Sequence, residues 1–188
     1  KHIECSSGSA DDLLDRYKMA ADNISADIVV RLTSDTPLLD PAIIDKMILT
    51  YQNNNYDLVC NNFPLPSTYP DGMNVEVFSH KVLNEIHREA KKPSDREHVT
   101  FFIWMHPQKY NSHRVDYEKD LSSYRFNLDY YDDYLFLKSV FEGVYPTNNF
   151  FTMEDVIIWL DKHPDVLKLN KNIKPHMGIL HSFDLDKN

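Results

Sequence analysis

Glycine is scarce in this chain: only four occur in 188 residues, Gly8, Gly72, Gly143 and Gly178. With so few, neither of the Gly-rich phosphate loops, G-x-G-x-x-G or G-x-x-x-x-G-K-[ST], can be written anywhere. Cysteine is scarcer still, with Cys5 and Cys60 alone and far apart. They form no C-x-x-C pair, which argues against structural zinc and for a reducing compartment, with no disulfide expected between them. No apolar run approaches the roughly 20 residues of a membrane span. Residues 1–4 carry no signal-peptide hydrophobic region. No membrane partner is therefore expected, and the cytoplasm is the default location. Basic residues are also in deficit, 20 Lys and Arg against 29 Asp and Glu, for a net charge of −9. Nucleic acid is excluded as a partner for want of a basic stripe. A nucleotide held through a metal and a few local cations remains compatible with that charge.

What is present is an ordinary apolar fraction, 42%, in a length that suits a single domain over residues 1–188 with a real core. Its periodicity alternates. Leu13, Leu14, Tyr17, Ala20 and Ala21 recur at helical spacing behind a capping-box pattern at Ser9. A strand at 28–32 precedes a helix over 41–53, with Asp40 as N-cap and Pro41 at the first helical position. A short strand at 56–60 follows. This alternation predicts an α/β fold with parallel strands joined by crossover helices. After a Pro-rich loop, residues 74–78 alternate as a strand and 79–91 as a helix. A second capping box, Ser94 with Glu97, opens a helix reaching Met105. One or two strands are expected within 114–128, with 124–128 the better candidate, then helices at 131–142 and 153–163, the last capped by Thr152 with Asp155. Beyond Asn170 the chain is polar and unpatterned.

Four segments carry residues suited to chemistry. The strand at 28–32 delivers Asp35 into a turn, and in open α/β sheets ligands sit just beyond the carboxyl ends of strands. A carboxylate there either caps the turn or binds a hard cation that carries a nucleotide's phosphates. Pro70-Asp71-Gly72 is a turn signature in which Gly72 takes the positive φ. In the strand after it, Val75 and Val77 face inward, so Glu76 faces solvent or a cleft. Arg96, Glu97 and His98 are neighbours on a helix and cannot all converge; Glu97 reads as the capping partner of Ser94, while Arg96 and His98 could contact an anion near the helix start. Asn127-Leu128-Asp129 repeats the logic of the first segment. Asp132 and Asp133 then read as helix starters favoured by the dipole, and Asp129 as a candidate to meet Asp35 around a divalent ion.

Taken in order, these segments resemble the nucleotide-sugar cytidylyltransferases, in the branch of spore coat polysaccharide biosynthesis protein F, related to the acylneuraminate and KDO cytidylyltransferases. The resemblance is carried by Gly8 through Tyr17, Val30 through Pro41, Pro70 through Ser79, Arg96 through Thr100, and Tyr124 through Asp133. It implies a three-layer α/β/α domain with a mixed sheet, of the nucleotide-diphospho-sugar transferase type. It also implies attack of a sugar or sugar-acid hydroxyl on the α-phosphate of CTP, giving a CMP-sugar and pyrophosphate for surface polysaccharide. Mg²⁺ would be the cofactor, with Asp35 and Asp129 as its carboxylates and the catalytic residues. Asp71, Glu76, Arg96 and His98 would belong to the sugar side of the cleft. CTP and the sugar are the implied partners, and a homodimer is an allowed assembly.

The departures from the family pattern are specific. Its opening strand and loop, of the type L-x-A-R-x-x-S-x-R-L-P-G-K, has no counterpart, so the fold is expected to be incomplete at its N-terminus, with about 70 further residues upstream in a domain of normal size. Without that loop this chain alone is expected to bind CTP weakly and to be inactive. Asn74 stands where Asp is common, Tyr130-Tyr131 follow Asp129 where Thr-Pro is expected, and Ser6-Ser7 stand where an Arg often precedes the glycine. Two other readings fit the same fold: a non-catalytic sugar-binding or assembly module, with Tyr130, Tyr131 and Trp104 on its carbohydrate or partner surface, and a nucleotide-sugar-dependent glycosyltransferase.

Overall fold

The computed structural model describes residues 3–173 and Asp186. A four-stranded sheet, ordered β1-β3-β2-β4, divides two sets of helices. Its strands are β1 (Ile28–Arg31), β2 (Leu58–Cys60), β3 (Glu76–Ser79) and β4 (Ser112–Arg114). The helices are α1 (Leu13–Asn23), α2 (Pro41–Gln52), α3 (His80–Glu89), α4 (Pro93–His98), α5 (Phe101–Met105), α6 (Tyr131–Val144) and α7 (Met153–Asp161), with a 3₁₀ turn at Val166–Lys168.

Strand side chains alternate between faces, and here both faces are buried. Val59 and Val77 enter one apolar cluster with Met47 of α2, Phe136 and Val140 of α6 and Leu160 of α7. Leu58, Cys60 and Phe78 enter the other with Leu14 of α1, Leu83 and Ile86 of α3 and Ile103 of α5. Each such fully buried aliphatic or aromatic side chain contributes about 1.5–3 kcal/mol. The three-layer α/β/α arrangement with a mixed sheet is the one the family resemblance implies.

The parallel sense read for the strands joined by α2 is present, since β1, β2 and β4 all run the same way, but β3 is inserted between β1 and β2 in the opposite sense. β3 pairs antiparallel with both β1 and β2, and only β2–β4 is parallel. The segment between β2 and β3 contains no helix. A parallel neighbour needs a crossover connection, and this loop instead returns β3 in the opposite sense.

Several local signals act as read. Asp40 caps α2 by accepting the Ala42 N–H at 2.8 Å, with Pro41 opening the helix. Its second carboxylate oxygen accepts the Met153 N–H at 2.9 Å, so the same residue ties α7 to α2. Thr152 and Asp155 form a reciprocal capping box on α7.

Others do not. The α1 N-cap is Asp12, which accepts the Asp15 N–H at 2.9 Å, and Ser9 only receives the Asp11 N–H. The helix predicted over 94–105 breaks into α4 and α5 at Val99. Ser94 lies inside α4 and gives its N–H and hydroxyl to Asp186 at 3.0 and 2.6 Å, so Ser94 and Glu97 form no capping box. Residues 124–128 make only an isolated bridge, Asp71 with Arg125; the sheet's last strand is β4, just upstream. The tail expected to be unpatterned lies, beyond residue 173 and apart from Asp186, outside the described residues. Among the described residues no helix is long and apolar enough to cross a membrane.

Candidate active site

A cavity of about 480 Å³ opens beyond the carboxyl ends of β1 and β2, within the range of small-molecule sites. Asp35, Asp71, Glu76, His98 and Asp129 all line it, so five of the side chains singled out in sequence converge. Arg96 does not. Its guanidinium donates to Asp12 from Nε at 3.0 Å and to the His87 carbonyl at 3.0 Å, fastening α4 to the N-cap of α1 and to the last turn of α3. Its place is structural, and it is not a cavity residue.

One wall is built on sheet register. Arg31 at the end of β1 lies directly opposite Glu76 at the start of β3, and their side chains pair at 3.2 Å, a cross-strand contact that the pleat sets up. Glu76 also accepts from Asn62 Nδ2 and Thr100 Oγ1, each at 2.8 Å. Burial alone would push the Arg31 guanidinium down, but the charge of Glu76 holds it above its ordinary value. Glu76 thus faces the cleft, as the alternation of Val75 and Val77 allows, and its carboxylate accepts from three side chains.

The opposite wall is built on Arg125. It forks onto the fully buried Asp133 from Nε at 3.0 Å and Nη2 at 2.9 Å, reaches Asp71 at 3.2 Å, and pairs with Asp129. Asp133 also accepts the Asp129 and Tyr130 N–H groups and Asn170 Nδ2, each at 3.1 Å. Burial raises the Asp133 pKa, but these hydrogen bonds and the Arg125 charge outweigh it and leave a net lowering. Asp133 reads in sequence as a helix starter; it does cap α6, yet its larger part is to anchor Arg125. Gly72 lets the two segments approach. Its φ is +99°, and a Cβ there would come within 2.7 Å of the Phe126 carbonyl carbon and 2.8 Å of the Asn127 nitrogen.

Asp35 joins the two walls. Its carbonyl accepts the Leu128 N–H at 2.8 Å, tying the loop after β1 to the segment that carries Asp129. Among the described residues its carboxylate receives one long bond, 3.5 Å, from Asn127 Nδ2. Around the cavity, Asn127 Oδ1, Asn62 Oδ1, Trp104 Nε1 and Arg31 Nε are buried with no hydrogen-bond partner among the described residues. Unmet polar groups at this density are uncommon away from ligand sites.

No cluster of three or more His, Cys, Asp or Glu side chains among the described residues is arranged to hold a metal. A pair of carboxylates on one cavity still suits Mg²⁺, which is bound by one or two carboxylates and completes its shell with water and substrate phosphate. Asp35, with its under-occupied carboxylate, fits that role directly. Asp129 fits only by sharing with, or leaving, Arg125.

A third wall is aromatic, with Phe63, Phe101 and Trp104 beside His98. The Phe63 ring meets those of Phe101 and Trp104 at 5.7 and 5.6 Å. Burial lowers the His98 pKa, with Arg31 adding to the effect against the opposing charges of Glu97, Glu76 and Asp186. The pocket therefore favours the neutral form of the His98 ring.

Sequence reading missed Arg31 and Arg125. Each is a charge inside an otherwise apolar or strand-like segment, and that mismatch is the signal that could have found them. Asn62, Thr100 and Asn127 carry no comparable local mark.

The cytidylyltransferase family profile matches residues 2–176. An uncharacterized protein of Methanocaldococcus jannaschii is 31% identical over 173 residues, 89% of this chain and 67% of that protein. The spore coat polysaccharide biosynthesis protein SpsF of Bacillus subtilis is 28% identical over 165 residues, 84% and 65% of the two chains. The solved structure of a cytidylyltransferase from Leptospira borgpetersenii superposes with a TM-score of 0.80 at 32% identity, covering 90% of this chain and 69% of that one. The chain thus spans about two thirds of the length of the relatives it matches. From a family match over nearly its whole length, a shared fold and one cavity that gathers the resembling segments, this chain belongs to the cytidylyltransferase family.

Proposed function

We propose that this protein is the part of a CTP-dependent sugar nucleotidyltransferase that carries the metal carboxylates and the acceptor side of the site. The observation that supports this best is the join at Asp35: the loop after β1 and the segment before α6 are hydrogen-bonded to each other and present Asp35 and Asp129 to a single cavity. In the reaction proposed, an acceptor hydroxyl oxygen bonds to the α-phosphorus of CTP as the bond to the bridging oxygen breaks. Pyrophosphate leaves, and the hydroxyl proton is lost to a base or to water.

Catalysis of this kind is mostly positioning and charge stabilisation. Asp35 and Asp129 would hold Mg²⁺, which when bound neutralises phosphate charge and polarises the phosphoryl group. Asp71, fixed by Arg125, and neutral His98 would contact the sugar. Glu76 would act through what it orders, holding Asn62 and Thr100 in place. We assign the product as a CMP-sugar or CMP-sugar acid for surface polysaccharide, made in the cytoplasm. SpsF, named for spore coat polysaccharide biosynthesis, supports that assignment by similarity.

The test is calorimetry with CTP and Mg²⁺ on the full-length protein, followed by pyrophosphate release with candidate sugars. Asp35→Ala is expected to abolish Mg²⁺-dependent release, and undiminished turnover in that variant removes Asp35 from the site. Glycan binding without CTP binding would instead support a non-catalytic sugar-binding module.

A further inference from the structure

We propose that Val99 is a positioning residue, whose buried side chain locks a positive-φ γ-turn that aims His98 and Thr100 together into the cavity. The proposal rests on the reading of that cavity as the substrate site. Val99 has φ 55° and ψ −71°, and the Thr100 N–H donates to the His98 carbonyl at 2.6 Å. Those values describe the three-residue γ-turn of the rare, strained hand. For a β-branched residue such a φ is a true outlier. Among the described residues the other non-glycine with positive φ is Ser25, in the turn between α1 and β1.

The outlier has an identifiable cause. Val99 is fully buried in the apolar cluster that holds Leu14, Leu83 and Ile86. Its two neighbours line the cavity instead, and Thr100 is held there by its 2.8 Å bond to Glu76. One side chain belongs to the core and its flanking pair to the cleft, and only a reversal at the central residue satisfies all three. In the uninterrupted helix that the 94–105 pattern predicts, His98 and Thr100 would project about 200° apart, and both could not face one cavity. Glycine would adopt this φ without strain, yet it would bring no anchor. Valine at this position means that the anchor outweighs the strain, which is how outlier backbone persists at functional sites.

The experiment is an NMR titration of the His98 ring in wild type, Val99→Gly, Val99→Ala and Val99→Thr, with thermal unfolding of each. Among the described residues, the charged groups that act on His98 include Glu97 on its own helix, Arg31 on β1, Glu76 on β3, and Asp186. In wild type His98 is expected to titrate below its ordinary 6.5. In the glycine and alanine variants the midpoint should rise toward 6.5 as the ring gains solvent, and Val99→Thr, which keeps the β-branched shape but buries a hydroxyl, should recover it in part. Folded variants with an unchanged midpoint would overturn the proposal. Backbone couplings of Val99 in the wild-type protein give a second measurement that needs no variant: a negative φ in solution would also overturn it. Neither readout depends on turnover, so failure of CTP binding in wild type would count against the cavity's assignment and not against the turn.

Discussion

Arg125 lies fork-on against the fully buried carboxylate of Asp133, with its Nε and Nη2 donating at 3.0 and 2.9 Å. From there it also reaches Asp71 and Asp129, the two carboxylates it shares with the cavity. A single cation thus orders one whole wall. Removing one member of a buried pair leaves the other charge without its main partner, at a cost of up to about 3–5 kcal/mol. Arg125→Met and Asp133→Leu should each lower unfolding free energy by that amount in urea titrations. The double variant should lose less than their sum, and additive losses would show that the pair is not coupled.

The same pair sets a pH dependence. Because the folded pKa of Asp133 lies below its ordinary 3.8, the unfolded state binds the proton more readily. Its stabilisation is therefore fully present above the unfolded value and is lost as pH falls through the folded one. In acid titration of stability, Asp133→Asn should flatten the slope below about pH 4 and leave it unaltered at neutral pH.

Gly72→Ala is expected to destabilise by more than about 1 kcal/mol, since alanine at φ +99° is strained and the usual entropic gain of the substitution is overturned. The Cβ would press on backbone at Phe126 and Asn127, so the segment carrying Asp129 must shift. A melting temperature equal to wild type would show that this close approach is not needed.

Thr100→Val keeps the shape of a buried side chain and removes its hydrogen bond to the Glu76 carboxylate, 2.8 Å long. Bonds to charged groups contribute about 1.5–3 kcal/mol, and chemical denaturation should show a loss of that size. Glu76→Gln combined with Thr100→Val should cost less than the two separately, because the acceptor no longer carries a charge.

Cys60 is fully buried, and burial, with the nearby Glu76 charge, pushes its thiol up to about 12. Cys5 is exposed. An aromatic disulfide reagent at pH 8 should therefore label one thiol per native chain and two after denaturation. Rapid native labelling of both would mean that the β2 end opens to solvent.

Much of this molecule is written locally. The N-cap and Pro at Asp40-Pro41, the capping box at Thr152 and the turn at Gly72 each depend on residues within four positions of one another, so spacing alone reveals them. Asp35 and Asp129 stand out because carboxylates just past a strand-like run conflict with burial unless a cleft is there, Glu76 because it breaks the apolar alternation of Val75 and Val77, and Asp71 through its turn and its place in the resembling segments. Arg96 breaks this pattern. It looks like a ligand contact in sequence, yet Asp12, the N-cap of another helix 84 residues away in the chain, takes its charge.

What the sequence determined by itself, then, is the kind of chain this is: an α/β domain with capped helices, and a set of acidic strand ends that matches one family in order. Tertiary structure alone decided the antiparallel insertion of β3, the break at Val99, and the charge partners that Glu76 and Asp129 find in Arg31 and Arg125. The physical reason is range. Caps and turns are settled by neighbours within a helical turn, whereas strand direction, burial on two faces at once and the pairing of buried charges are settled by segments that meet only after the chain has folded.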